Sequence, residues 1–124
     1  MDLNMTVLIV DDFATMRRII KGVLKELGFK NVIEAENGKV ALAKLEKENV
    51  GLIISDWNMP EMQGIDFLKA VRSTPKFKDL PFIMVTAEGQ KQNVVEAVKA
   101  GVTNYIVKPF TPETLKKKLE AVLG

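Results

Sequence analysis

Three carboxylates, one hydroxyl and one ammonium each stand where a short apolar run stops. Asp11 and Asp12 follow the run from Thr6 to Val10. Asp56 follows Leu52, Ile53, Ile54 and Ser55. Thr86 follows Phe82 to Val85, and Lys108 follows Val107. Apolar runs of this length suit strands buried on both faces, as a parallel sheet requires. In such a sheet the carboxyl ends of the strands share one rim, and open α/β sheets bind ligands there. Carboxylates crowded on that rim repel one another. The chain has no His and no Cys, so a metal site there would be all oxygen. An all-oxygen site selects a hard cation, with Mg2+ as the default. A carboxylate flanked by a cation, a hydroxyl and an ammonium suits phosphoryl transfer. Asp56 would attack phosphorus and become an acyl phosphate. Mg2+ and Lys108 would offset charge on the phosphoryl oxygens, and Thr86 would donate a hydrogen bond to one of them.

The elements that must position these groups alternate strand and helix five times. The first strand spans Thr6 to Val10. A helical stripe of Met16, Ile19, Ile20, Val23, Leu24 and Leu27 follows, closed by Gly28. Val32 to Ala35 is a short second strand, and Asn37-Gly38 turns into a helix over Val40 to Lys47. The third strand covers Leu52 to Ser55, and its helix carries Ile65, Leu68 and Val71. The fourth strand precedes a helix marked by Val94, Val95 and Val98. The fifth, from Val102 to Val107, carries Tyr105. Thr111 then caps a last helix that has Pro112 at its first position. Alternation of this kind predicts an α/β, doubly wound, five-stranded parallel sheet with five helices and right-handed crossovers. A closed barrel would need about 250 residues.

Composition narrows the function classes. The 124 residues suit one domain. Without Cys there are no disulfides or thiol nucleophiles. Without His there is no Ser-His triad, no His metal site and no phosphohistidine carried by this chain. Eighteen Lys and Arg against 16 Asp and Glu leave a net charge of +2, too small to argue for nucleic acid. No apolar run exceeds four residues, so neither a membrane helix nor a signal peptide is expected. The expectation is a cytoplasmic monomer with no nucleic-acid or membrane partner.

The motifs Asp12 to Arg18, Ser55 to Pro60, Met84 to Glu88 and Tyr105 to Phe110, together with Asp11, resemble the receiver domain of two-component response regulators. The likeness spans essentially the whole chain and is strongest to the chemotaxis regulators of that family, which have the flavodoxin-like fold. It implies that Asp56 is phosphorylated by a histidine kinase. It implies a Mg2+ site made by Asp12, Asp56 and the backbone carbonyl of Asn58, with Asp11 acting through water. It gives Thr86, Tyr105 and Lys108 the task of sensing the phosphoryl group, with Tyr105 turning inward. It assigns Lys91, Tyr105 and Lys118 to an output face whose partner is the flagellar motor switch protein, and it allows a dedicated phosphatase. The Lys108-Pro109 bond is cis in this family. A single receiver domain over residues 1–124, with no output domain, is expected, acting as a switch rather than a turnover enzyme.

Two departures stand out. Gln63 occupies a position that is commonly Asp in this family, and Lys116-Lys117-Lys118 makes the last helix unusually basic. Bland readings compete at several residues. Asp11 and Asp12 could cap the first helix. Trp57 would be a partly exposed neighbour of Asp56. The Lys run would be a solvated face. Among rival functions, a phosphatase of the haloacid-dehalogenase type needs a second Asp where this chain has Asn58. A flavin carrier needs a hydroxyl- and Gly-rich loop where Asp11-Asp12-Phe13 would repel phosphate. A receiver fold that only binds partners would not need the acidic set.

Overall fold

Strands β1 (Thr6–Val10), β2 (Asn31–Ala35), β3 (Val50–Asp56), β4 (Phe82–Ala87) and β5 (Asn104–Lys108) form one parallel sheet in the order β2-β1-β3-β4-β5. Helices α1 (Ala14–Glu26), α2 (Gly38–Lys47), α3 (Gly64–Ser73), α4 (Lys91–Lys99) and α5 (Pro112–Leu123) make the crossovers. The structure is a computed structural model and describes residues 1–87 and 90–124. Glu88, the last residue of one motif above, lies outside the described residues. The doubly wound sheet expected from the alternation is the architecture found.

Each face of the sheet has its own core. Val7, Ile9, Leu52, Ile54, Ile83, Val85 and Ile106 pack under α1 and α5. Leu8, Val10, Ile53, Phe82 and Met84 point the other way, under α2, α3 and α4. Alternate residues of a strand face opposite sides, so a strand covered on both sides must be apolar throughout. That is why β1, β3 and β4 read as unbroken runs.

Local chemistry fixes the helix ends. Asn37 accepts the Val40 N–H at 2.9 Å and caps α2, so that helix begins at Gly38, two residues before the apolar pattern does. Thr111 accepts the Thr114 N–H at 3.2 Å and caps α5, with Pro112 behind it. Gly28, at φ 99°, takes the left-handed conformation after α1. β5 begins at Asn104 rather than Val102, because the Val102 N–H turns back to the Ala97 carbonyl and closes α4.

The chain order reverses between β1 and β3. β2 lies outside β1, and the chain then crosses back to place β3 on the other side. The crevice at such a reversal is where open sheets hold ligands. The residues just past β1 and at the end of β3 are Asp11, Asp12 and Asp56.

Candidate functional site

Strand register sets the geometry. Val10 pairs with Ser55, Asp56 with Val85, Thr86 with Val107, and Ala87 with Lys108. The strand-end groups therefore arrive on one rim. Carboxylate oxygens of Asp11, Asp12 and Asp56 lie within 4.8 Å of one another, with Asp11 and Asp56 buried and Asp12 exposed. Lys108 Nζ sits 3.0 Å from Asp56 Oδ1.

Burial makes this cluster costly. It pushes the Asp11 carboxyl up from 3.8 to about 6. The Phe13 N–H, which Asp11 Oδ1 accepts at 2.9 Å, opposes the rise, and the nearby Asp56 charge adds to it. Burial also raises the Asp56 carboxyl, against the ammonium of Lys108. Asp11 Oδ2 and Thr86 Oγ1 are buried with no hydrogen-bond partner among the described residues. Orphaned buried polar atoms call for an explanation, and an ion or ligand is one. An unpartnered carboxylate oxygen within an all-oxygen set fits a hard divalent cation. The acidic cluster can hold a metal ion, and the Thr86 hydroxyl is free to donate to a group bound beside Asp56.

The backbone around Asp56 is fixed from both sides. Trp57 N–H donates to the Val85 carbonyl at 3.0 Å, and Gly64 N–H donates to the Trp57 carbonyl at 2.8 Å. A Cβ on Gly64 would stand 2.1 Å from the Asp56 carbonyl oxygen, so only glycine allows this approach. The sheet bond made by Trp57 also draws its ring into the core, where it is 6% exposed. The partly exposed Trp57 expected from the sequence is thus corrected.

Neither acid caps α1. Phe13 is the N-cap, with no side-chain cap bond, while Asp11 closes a local turn instead. Asn58 is exposed, two residues beyond Asp56. Tyr105 is half-buried, with the Lys118 ammonium 5.0 Å from its ring centroid. Lys91 is exposed at the start of α4. The Lys run does not form one face. Lys116 pairs with Glu26 of α1 at 3.5 Å, Lys118 reaches Asn104 of β5 at 3.3 Å, and Lys117 is exposed. The Lys108-Pro109 bond is cis, as the family resemblance implies.

The sequence did not reveal Arg17, Glu34 and Gly64 as parts of this site. Arg17 Nη1 donates to the Asp11 carbonyl at 2.6 Å and its Nε to Glu34 at 3.1 Å. One signal was available. A cation in the first turn of a helix sits against the helix dipole, so it needs a partner elsewhere.

Comparison with known proteins agrees with this geometry. The profile of the response regulator receiver domain matches residues 7–120. The chemotaxis protein CheY1 of Helicobacter pylori is 57% identical over 97% of this chain and 98% of its own. CheY-3 of Vibrio cholerae is 53% identical over 96% of this chain and 92% of its own. The solved structure of the chemotaxis response regulator CheY4 of Vibrio cholerae superposes with a TM-score of 0.88 at 41% identity, covering 96% of this chain and 98% of that one. No described helix is long and apolar enough to cross a membrane. With its carboxylates gathered at the β1/β3 crevice and these relatives matching nearly end to end, the chain belongs to the response regulator receiver domain family, as a signalling protein of the chemotaxis kind.

Proposed function

We propose that Asp56 accepts a phosphoryl group from a histidine kinase of the chemotaxis type, and that this modification switches the chain's affinity for the flagellar motor switch protein. The observation that carries the proposal is the meeting of three carboxylates within 4.8 Å, with the Lys108 ammonium on Asp56 and the buried Thr86 hydroxyl on the same rim without a partner among the described residues. Asp11, Asp12, Asp56 and the Asn58 carbonyl would hold Mg2+. When bound, that ion supplies positive charge against the carboxylates and the incoming phosphoryl oxygens.

In the transfer, an Oδ of Asp56 bonds to phosphorus as the bond from phosphorus to the donor's imidazole nitrogen breaks. The nitrogen keeps the electron pair and takes a proton from solvent. Lys108 and Thr86 donate to the phosphoryl oxygens and so leave their resting arrangement. Tyr105 then turns inward from under Lys118, changing the face that carries Lys91, Tyr105 and Lys118. Hydrolysis of the acyl phosphate, unaided or with a dedicated phosphatase, resets the switch. The chain acts as a switch rather than a turnover enzyme, since Asn58 is a poor proton donor where a phosphatase needs an acid. We place it in the cytoplasm as a monomeric single receiver domain over residues 1–124.

Intact mass after incubation with acetyl phosphate tests the reading. One Mg2+-dependent phosphoryl adduct is expected, absent in Asp56→Asn. Labelling of that variant would move the nucleophile elsewhere. Steady phosphate release without an adduct would indicate a hydrolase.

A further inference from the structure

Arg17 occupies the first turn of α1, where no acidic residue offsets the helix N-terminus. Its partner comes from the neighbouring strand. Arg17 Nε donates to Glu34 Oε1 at 3.1 Å, and Lys21, one turn along α1, reaches Glu34 Oε2 at 2.9 Å. Lys44 of α2 donates to the backbone carbonyl of Glu34. Glu34 is therefore gripped from two helices and becomes a fixed anchor for the guanidinium. The other arm of the fork, Nη1, donates to the Asp11 carbonyl at 2.6 Å. Among the described residues, the guanidinium bonds a carbonyl and Glu34 rather than the carboxylates of Asp11 and Asp12.

That carbonyl is the lever. The peptide unit is planar, so the orientation of the Asp11 carbonyl also sets the Asp12 nitrogen and Cα. The Asp11 N–H is already held by the Ala35 carbonyl at 3.0 Å. The backbone entering and leaving Asp11 is thus tied to β2 and α1. Asp12 is exposed, and among the described residues its side chain makes no hydrogen bond or ion pair of its own. Its direction rests on the backbone that Arg17 holds. A planar guanidinium can bridge two acceptors in this way, whereas a single ammonium is a point donor.

We infer that Arg17, oriented by Glu34, is a positioning residue for the acidic site: it fixes the Asp11–Asp12 peptide with both carboxylates toward Asp56. Glu34 also keeps the guanidinium charge from competing with a cation for those carboxylates. The inference rests on the reading of the cluster as a Mg2+ site.

Calorimetric titration of Mg2+ into the whole chain tests it, with the unfolding midpoint in chelator measured alongside. Arg17→Ala is expected to weaken Mg2+ binding at least about tenfold, the scale seen when a group that orients a metal ligand is lost. Arg17→Lys keeps the charge but loses the fork, and is expected to recover little of that loss. Acetyl phosphate labelling of Arg17→Ala should need more Mg2+ yet approach the wild-type rate at saturation. Arg72→Ala is the matched control. It breaks bonds to Gly101 and Thr103, at the end of the sheet away from the acids, and should lower the midpoint while leaving Mg2+ affinity unchanged. Wild-type Mg2+ affinity in Arg17→Ala would overturn the inference, as would an equal loss of affinity in Arg72→Ala. If Arg17→Ala does not fold, Arg17→Lys decides, and wild-type affinity in it overturns the role of the fork. A wild-type chain that takes up no Mg2+ would strike down the cation site itself and this inference with it.

Discussion

One guanidinium links the Glu34 carboxylate to the Asp11 backbone carbonyl, yet the surroundings of these two acids push their carboxyls in opposite directions. Glu34 meets Lys21 and Arg17, and those bonds hold its carboxyl below the usual range although burial opposes them. Asp11 is buried beside two other acids with one backbone N–H to satisfy it, and its carboxyl rises to about 6. Glu34 serves the folded state. Asp11 opposes it unless a cation arrives. At the ends of two neighbouring strands the chain carries one acidic group whose partners are built in and one whose partner is left to a ligand. Sites that bind or react are expected to store such unfavourable electrostatics.

The sharpest way to break this contrast is Gly64→Ala. Its Cβ would meet the Asp56 carbonyl at 2.1 Å, so the loop after β3 must shift. A loss of roughly 2–4 kcal/mol is expected in urea unfolding, together with loss of phosphoryl labelling. Unchanged labelling would show that the acids do not depend on this backbone approach.

Asp11→Asn tests the strained side directly. The wild-type carboxyl binds its proton more tightly when folded, so metal-free stability falls as pH rises from 3.8 through about 6. Asn does not titrate. In chelator the variant is expected to be more stable above pH 6 by on the order of 1–2 kcal/mol, with no advantage below pH 4. At saturating Mg2+ the order should reverse, because only the wild type binds the ion well. A variant less stable than wild type at neutral pH without metal would show that the Asp11 charge is satisfied after all.

Glu34→Gln tests the satisfied side, and its effect is smaller. The side chain is one-third exposed, so a loss of about 0.5–1 kcal/mol is expected at neutral pH. The folded-state pKa is lowered, so the stabilisation is present above 4.5 and disappears as pH falls through the lower folded value. The two unfolding profiles should therefore converge in acid, opposite in sign to the Asp11 pair. A gap that persists at low pH would assign the effect to packing rather than charge.

Much of the rim was legible because one strand period and one parallel rule suffice. Apolar runs ended by Asp11, Asp56, Thr86 and Lys108 must, in a parallel sheet, end on the same side. Trp57 was misread because its burial follows from a sheet bond to Val85 that extends β3 beyond the apolar run. The Lys116 to Lys118 run looked like one basic patch, but successive helix residues point about 100° apart. These three side chains accordingly meet α1, solvent and β5. Arg17 and Glu34 are 17 residues apart, and no local period connects them.

By itself the sequence determined the five βα units, the all-oxygen character of any metal site and the identity of the strand-end groups, because these depend on residue type and short-range order. Tertiary structure alone decided that Asp11 is buried with no partner for Oδ2 among the described residues, that Glu34 holds Arg17 against the Asp11 carbonyl, and that Gly64 must lack a side chain. Those facts depend on which atoms from distant segments come within a few ångströms, and only the packed sheet and its loops fix that.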